Sequence, residues 1–157
     1  MASFPLHIRS ADYQTEHGQV VTLKRGYSLC ELPGASVLCD AFFDSAAPLS
    51  IVPYTLSQYV TWKQLGTQLT RTGSTSPSVL TWQGIPCDLG TFELLCVHLG
   101  NGMRSSLLHS LANFPRRPGP ISLERALVLG LTLLDENPIR LVLDHMTGRL
   151  TGYLEIP

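Results

Sequence analysis

The strongest constraint on this chain is a change of character inside one continuous stretch. From Val37 it reads Val-Leu-Cys-Asp-Ala-Phe-Phe, and then Asp44-Ser45-Ala46-Ala47-Pro48-Leu49-Ser50-Ile51-Val52-Pro53. Apolar residues at nearly every position suit a strand covered on both faces. An ionised carboxylate buried at the end of such a strand is costly unless partners hold it or its pKa shifts. Asp44 is therefore either an exposed turn residue bonded to local backbone or a group kept for chemistry.

Size limits the architectures available. With 157 residues the chain makes one domain, 1–157, with room for a substantial core. It carries 11 Lys+Arg and 12 Asp+Glu for a net charge of −1, which gives no reason to expect nucleic acid or an anionic membrane as partner. Hydrophobic residues at 44% and charged ones at 15% indicate a folded, well-buried domain. No apolar run approaches the roughly 18 residues of a membrane span. Met1 to Tyr13 lacks the apolar segment of a secretory signal, so a cytoplasmic location is expected. Cys30, Cys39, Cys87 and Cys96 contain no Cys-x-x-Cys pair, and Cys39 and Cys96 sit in apolar strand patterns. Buried free thiols are the expectation, with disulfide or zinc roles as alternatives; no metal or cofactor is implied.

Along the chain the signals are mostly those of short strands. Phe4, Leu6 and Ile8 alternate with Pro5, His7 and Arg9, an edge-strand pattern. Val20–Leu23 and Tyr27–Leu32 read as two strands separated by a turn at Lys24-Arg25-Gly26. After Pro53, Thr55 can cap a helix with Leu56, Tyr59 and Val60 on one face, ending near Gly66. Thr67–Ser78 is polar, with Gly73 at its middle, and reads as a hairpin tip. Thr91–Leu99 is a strand with Phe92, Leu94 and Cys96 on one face, closed by Gly100-Asn101-Gly102. Met103, Leu107, Leu108 and Leu111 fall at helical spacing and predict a helix over 103–114, followed by a stiff exposed loop at Pro115–Pro120. Leu131–Glu136 predicts a short helix stopped by Asn137-Pro138. Ile139–Asp144 and Arg149–Ile156 alternate as a hairpin about a turn at His145-Met146-Thr147-Gly148.

Two of these stretches carry a resemblance. Asp44-Ser45-Ala46-Ala47 with Ser50 and Ile51-Val52-Pro53 resembles, in order and spacing, the active-site loop of retropepsin-like aspartic peptidases. That family reads Asp, Ser or Thr, Gly, Ala, a polar residue and an Ile/Val-Pro pair; its Gly is Ala46 here. Ala126-Leu127-Val128-Leu129-Gly130 resembles the family's second feature, an apolar pair and a Gly passing beneath the Asp loop. The resemblance spans 36–156, leaves 1–35 as weakly anchored N-terminal strands and treats 100–120 as an insertion. It implies a mostly-β, closed-barrel acid-protease fold with a short C-terminal helix and, here, the inserted helix near 103–114.

The same resemblance implies a function. A single-lobed chain holds one copy of the motif, so two chains would meet as a homodimer, each donating Asp44. Carboxylates about 3 Å apart cannot both ionise, so the pair shares a proton and activates water against a peptide carbonyl. Ser45 would brace the two loops, while Ala46 and Ala47 would line the floor. Val128, Leu129 and Gly130 would lie beneath, and Thr72, Gly73, Ser74 and Thr75 would form a flap over an extended peptide substrate. The departure at Ala46 places a methyl where the family has hydrogen and restricts positive φ. It motivates the alternative of a catalytically inactive binding or assembly module on the same fold.

Overall fold

The computed structural model describes residues 1–145 and 148–157, and Ser122 by its backbone alone. The expected turn at His145–Gly148 includes Met146 and Thr147, which lie outside the described residues. The fold is mostly β, with two short helices. Strands β1 (Ala2–Pro5) and β2 (His7–Gln14) follow one another with only Leu6 between them. β2 pairs residue by residue with β3 (Val20–Leu32), from His7 opposite Tyr27 to Gln14 opposite Val20.

This pairing removes the turn expected at Lys24-Arg25-Gly26, and β3 runs straight through it. Gly26 serves close packing instead: a Cβ there would sit 3.5 Å from side-chain carbons of both Leu6 and Ile8. β4 (Val37–Phe43) pairs with β3 and ends just before Asp44, as the apolar run predicts.

Beyond the Asp loop come β5 (Ser50–Ile51), α1 (Tyr54–Ser57) and β6 (Trp62–Gly66). The long helix expected from Thr55 to Gly66 is therefore a single turn followed by a strand. Val60-Thr61-Trp62 supplies β-branched and aromatic residues suited to extended chain. Trp62 then stacks on Phe114, with ring centroids 4.0 Å apart and planes 13° apart.

β7 (Gln68–Thr70) and β8 (Pro77–Val79) form a separate hairpin, and β9 (Thr81–Trp82) turns at Gln83-Gly84 into β10 (Ile85–Cys96). Gln83 and Gly84 have φ of 52° and 74°, the paired positive values of a type I′ hairpin turn.

The inserted helix expected near 103–114 is absent. Leu108–Pro115 is strand β11, antiparallel to β10. Leu108, Ser110, Ala112 and Phe114 are all buried while His109, Leu111 and Asn113 are less so, so the operative period is two. The leucines at helical spacing fitted a helix only because Ser110, a polar residue, concealed this alternation.

β12 (Ala126–Leu129), α2 (Leu131–Glu136), β13 (Arg140–Asp144) and β14 (Thr151–Ile156) complete the chain. α2 and the terminal hairpin stand where the sequence puts them. β1, β14 and β13 form a three-stranded sheet in that order. The large sheet runs β2-β3-β4-β12-β5-β11-β10-β6, and β10 pairs again with β3 through Leu95–Glu31 and Cys96–Cys30. The core between these sheets holds Phe4, Leu32, Phe92, Leu94, Leu127 and Leu154. Each such side chain contributes roughly 1.5–3 kcal/mol on burial. All four cysteines are free and buried, and Cys30 faces both Cys39 and Cys96 across neighbouring strands. No helix among the described residues is long and apolar enough to cross a membrane.

Candidate active site

Asp44 sits where the parallel pair β4–β12 ends, one residue past the Phe43–Leu129 partners. Its N–H donates to the Leu129 carbonyl at 3.0 Å, so the strand pairing carries directly into the loop. The loop then closes on itself. Ala47 N–H donates to the Asp44 carbonyl at 3.0 Å, and Ala46 N–H to Asp44 Oδ1 at 3.0 Å. Asp44, Ser45 and Ala46 are exposed in the single chain, whereas Val128 and Leu129 beneath them are buried.

Gly130 is the point of closest approach. A Cβ there would lie 2.5 Å from both the carbonyl carbon and oxygen of Leu49 and 2.7 Å from the Ala47 oxygen. Its φ of −94° and ψ of −176° are open to any residue, so the requirement for glycine is steric. On either side of this contact Leu131 N–H donates to Ala47 O at 2.9 Å and Thr132 N–H to Pro48 O at 3.1 Å. Residues 47–49 of the Asp loop thus rest on Gly130 and the start of α2.

Beneath it lies a group of hydroxyls, Ser50 and Ser110 buried and Thr132 half-buried, that the sequence reading did not assemble. Ser50, 0% exposed, accepts from Gly130 N–H at 3.1 Å, and its Oγ lies 2.9 Å from Ser110 Oγ. Ser110 Oγ is in turn 3.3 Å from Thr132 Oγ1, which donates to the Leu111 carbonyl at 3.0 Å. Buried hydroxyls are costly when orphaned and rigidifying when linked. These link β5, β11 and α2 under the loop. Only Ser50, inside the motif, carried a signal; Ser110 and Thr132 are distant in sequence and match nothing locally.

Glu124 was also missed. Buried to 9% exposure, its carboxylate accepts from Thr55 N–H at 3.0 Å, Thr55 Oγ1 at 2.9 Å and Gly119 N–H at 2.6 Å. It ties α1 to the Pro118-Gly119-Pro120 turn. Arg116 in that same loop reaches Asp88 through two nitrogens at 3.0 and 2.8 Å, so the loop is anchored.

Beside Asp44 the surface is apolar. A recess of about 20 Å³ is lined by Phe43, Leu129, Leu131, Leu134 and Leu141 together with Asp44 and Ser45. A more open hollow of about 480 Å³ adjoins it along Pro48, Leu131 and Leu134. The residues expected as a flap form the exposed β7–β8 hairpin, with Gly73 at φ +88° in its turn and Thr72, Ser74 and Thr75 around it. Among the described residues no group of three His, Cys, Asp or Glu is arranged to hold a metal ion.

Comparison with known proteins gives no matching family model, no matching curated protein and no matching solved structure.

Proposed function

We propose that this chain is a retropepsin-like aspartic endopeptidase that acts as a homodimer, with Asp44 of each copy sharing a proton and activating water. The observation that carries the reading is the seating of the Asp loop. Asp44 is tied to the strand end by its own N–H, which donates to the Leu129 carbonyl, its carboxylate accepts from Ala46 N–H over a glycine that admits no side chain, and it is exposed in the single chain. Such a loop orients the acid through one backbone donor and leaves its far side open to a second chain. The return of β10 onto β3 supports a barrel-like closure of the large sheet. β1 and β13 are the open edges of the terminal sheet and offer strands for joining subunits. The β7–β8 hairpin, exposed throughout, has the composition of a mobile cover over an extended peptide. Four unpaired thiols suit a reducing, cytoplasmic setting.

The alternative, an inactive binding or assembly module, rests on Ala46. Two details weigh against it. Ala46 is not among the residues with positive φ, so its methyl brings no backbone strain, and its N–H still reaches the carboxylate. The deciding experiment incubates the protein with an unfolded substrate across pH about 4 to 7, the range a proton-sharing carboxylate pair favours. Wild type should cleave, a general aspartic-peptidase inhibitor should block it, and Asp44→Asn should abolish it while remaining dimeric. Unchanged cleavage by the mutant, or no inhibitor-sensitive cleavage at any pH, defeats the peptidase reading. If cleavage is absent, a gain on Ala46→Gly assigns the loss to the methyl.

A further inference from the structure

Far less of the β2–β3 hairpin is buried than its length suggests. From Arg9 to Gln14 and from Val20 to Arg25 every residue is exposed, so the hairpin projects as an arm from the large sheet. Its register sets Tyr13 opposite Val21, Ala11 opposite Leu23 and Arg9 opposite Arg25, which puts these six on one face. The outer part of that face is apolar and uncovered, with Tyr13 51% and Leu23 57% exposed. Its inner part is cationic and ordered by aromatic rings. The Arg9 guanidinium lies 4.5 Å from the Tyr27 ring centre and that of Arg25 4.8 Å from Phe42.

There the face opens into a cavity of about 340 Å³, with Arg9, Arg25 and Arg125 on its walls and Asp40 among its lining. Arg9 is neutralised by Asp40 at 2.8 Å. Arg25 and Arg125 are both exposed and have no carboxylate partner among the described residues. A smaller hollow of about 100 Å³ shares Arg9, Arg25 and Tyr27 and continues the groove to Tyr13 and Leu23.

We propose that this groove binds an extended acidic segment of a partner protein. Its acidic side chains would sit between Arg25 and Arg125, and an apolar side chain would rest against Tyr13 and Leu23. Charge complementarity selects this occupant: the Arg25 guanidinium, stacked on Phe42, and the exposed Arg125 guanidinium on the same cavity wall offer donors to carboxylates, and stacking lowers the entropy Arg25 loses on binding. The volume suits side chains of a peptide. A nucleic-acid strand fits less well, because Asp40 occupies the lining and the whole chain carries −1. The site lies on the β2–β3–β4 face and does not depend on whether Asp44 is catalytic.

The test is fluorescence anisotropy with a short fluorescein-labelled peptide alternating Glu and Leu, against a Lys–Leu counterpart and a single-stranded oligonucleotide of matched charge. The Glu–Leu peptide should bind wild type. Affinity should fall about tenfold or more for Arg25→Glu and further for Arg25→Glu/Arg125→Glu, as expected for loss of charge-assisted bonds. Both positions are exposed, so circular dichroism and melting should match wild type, and Asp44→Asn should bind as wild type does. Undiminished binding by the double variant overturns the proposal, as does equal affinity for the Lys–Leu peptide. Tighter oligonucleotide binding lost in the double variant replaces it with a nucleic-acid site. Self-association lost in the double variant, without peptide binding, makes a second copy of the chain the occupant.

Discussion

Replacing Gly130 by alanine isolates the contact on which the placement of Asp44 depends. The new Cβ would meet the Leu49 carbonyl at 2.5 Å, and ordinary contact begins at 3.4 Å, so the Asp loop must withdraw by about 0.9 Å. Both opposing groups are backbone, which cannot rotate aside as a flexible side chain does. Overpacking of this kind costs about 1–3 kcal/mol. The shift also strains the bonds from Leu131 N–H to Ala47 O and from Gly130 N–H to Ser50 Oγ, each worth about 1 kcal/mol. The total is about 3–5 kcal/mol. With a urea dependence of about 2 kcal/mol per molar, the midpoint should fall by about 1.5–2.5 M. Gly73→Ala is the matched control: Gly73 has φ +88° and nothing within 4 Å of its Cβ position. It should lose about 1 kcal/mol from left-handed strain alone, or about 0.5 M. A midpoint for Gly130→Ala no lower than for Gly73→Ala would show that the loop does not rest on Gly130 as described.

Glu124→Ala removes the acceptor of three hydrogen bonds from Thr55 and Gly119 and should cost about 3 kcal/mol, lowering Tm by about 6–12 °C in a scanning calorimeter. A Tm within about 2 °C of wild type would deny Glu124 its stapling role. The thiols set an alkaline limit. Burial pushes Cys39 up to about 12 and Cys87 up to about 11 from an ordinary 9.0. Above pH 9 the unfolded chain releases these protons first, so the stability they contribute is full below pH 9 and lost as pH rises toward 11–12. Urea midpoints should fall across that window, less steeply in Cys39→Ala/Cys87→Ala. A thiol reagent at pH 8 should react with all four cysteines only after unfolding; rapid labelling of the native protein would contradict their burial.

What could be read from the sequence follows a physical division. Features governed by nearby residues were legible: the strand into Asp44, α2 stopped at Asn137-Pro138, the alternation of β13 and β14, and the thiols set in apolar runs. At Gly130 the structure shows a steric need for glycine, set by the Leu49 and Ala47 backbone. Features governed by tertiary contact were not. β6 is a strand because Trp62 finds Phe114 and β10, and β11 because Ser110 can be buried beside Ser50 and Thr132. Neither partner is visible from within those segments. The Lys24-Arg25-Gly26 signal failed for the same reason, since Leu6 and Ile8 close over Gly26 from a neighbouring strand. Glu124 and the arginine groove have no local sequence signal; the fold shows which of these charges are partnered.

One chain alone presents its acid to water, so the proposed chemistry begins only when two copies approach, and that approach has a calculable cost. Two ionised carboxylates at about 4 Å repel by about 4 kcal/mol at an effective dielectric of 20. A homodimer built around a pair of Asp44 side chains therefore forms most readily when the pair retains one proton. Association that keeps a proton between the two acids is linked to proton uptake, so the dissociation constant of such a dimer should rise as pH rises, by up to tenfold per unit. Sedimentation velocity between pH about 5 and 8 measures this directly. Asp44→Asn removes both charges, so the mutant should dimerise at least as tightly as wild type at the upper end and with a flat pH dependence. Were the mutant and wild type to show the same slope, the two acids do not meet in the dimer, and its interface must lie elsewhere on the molecule.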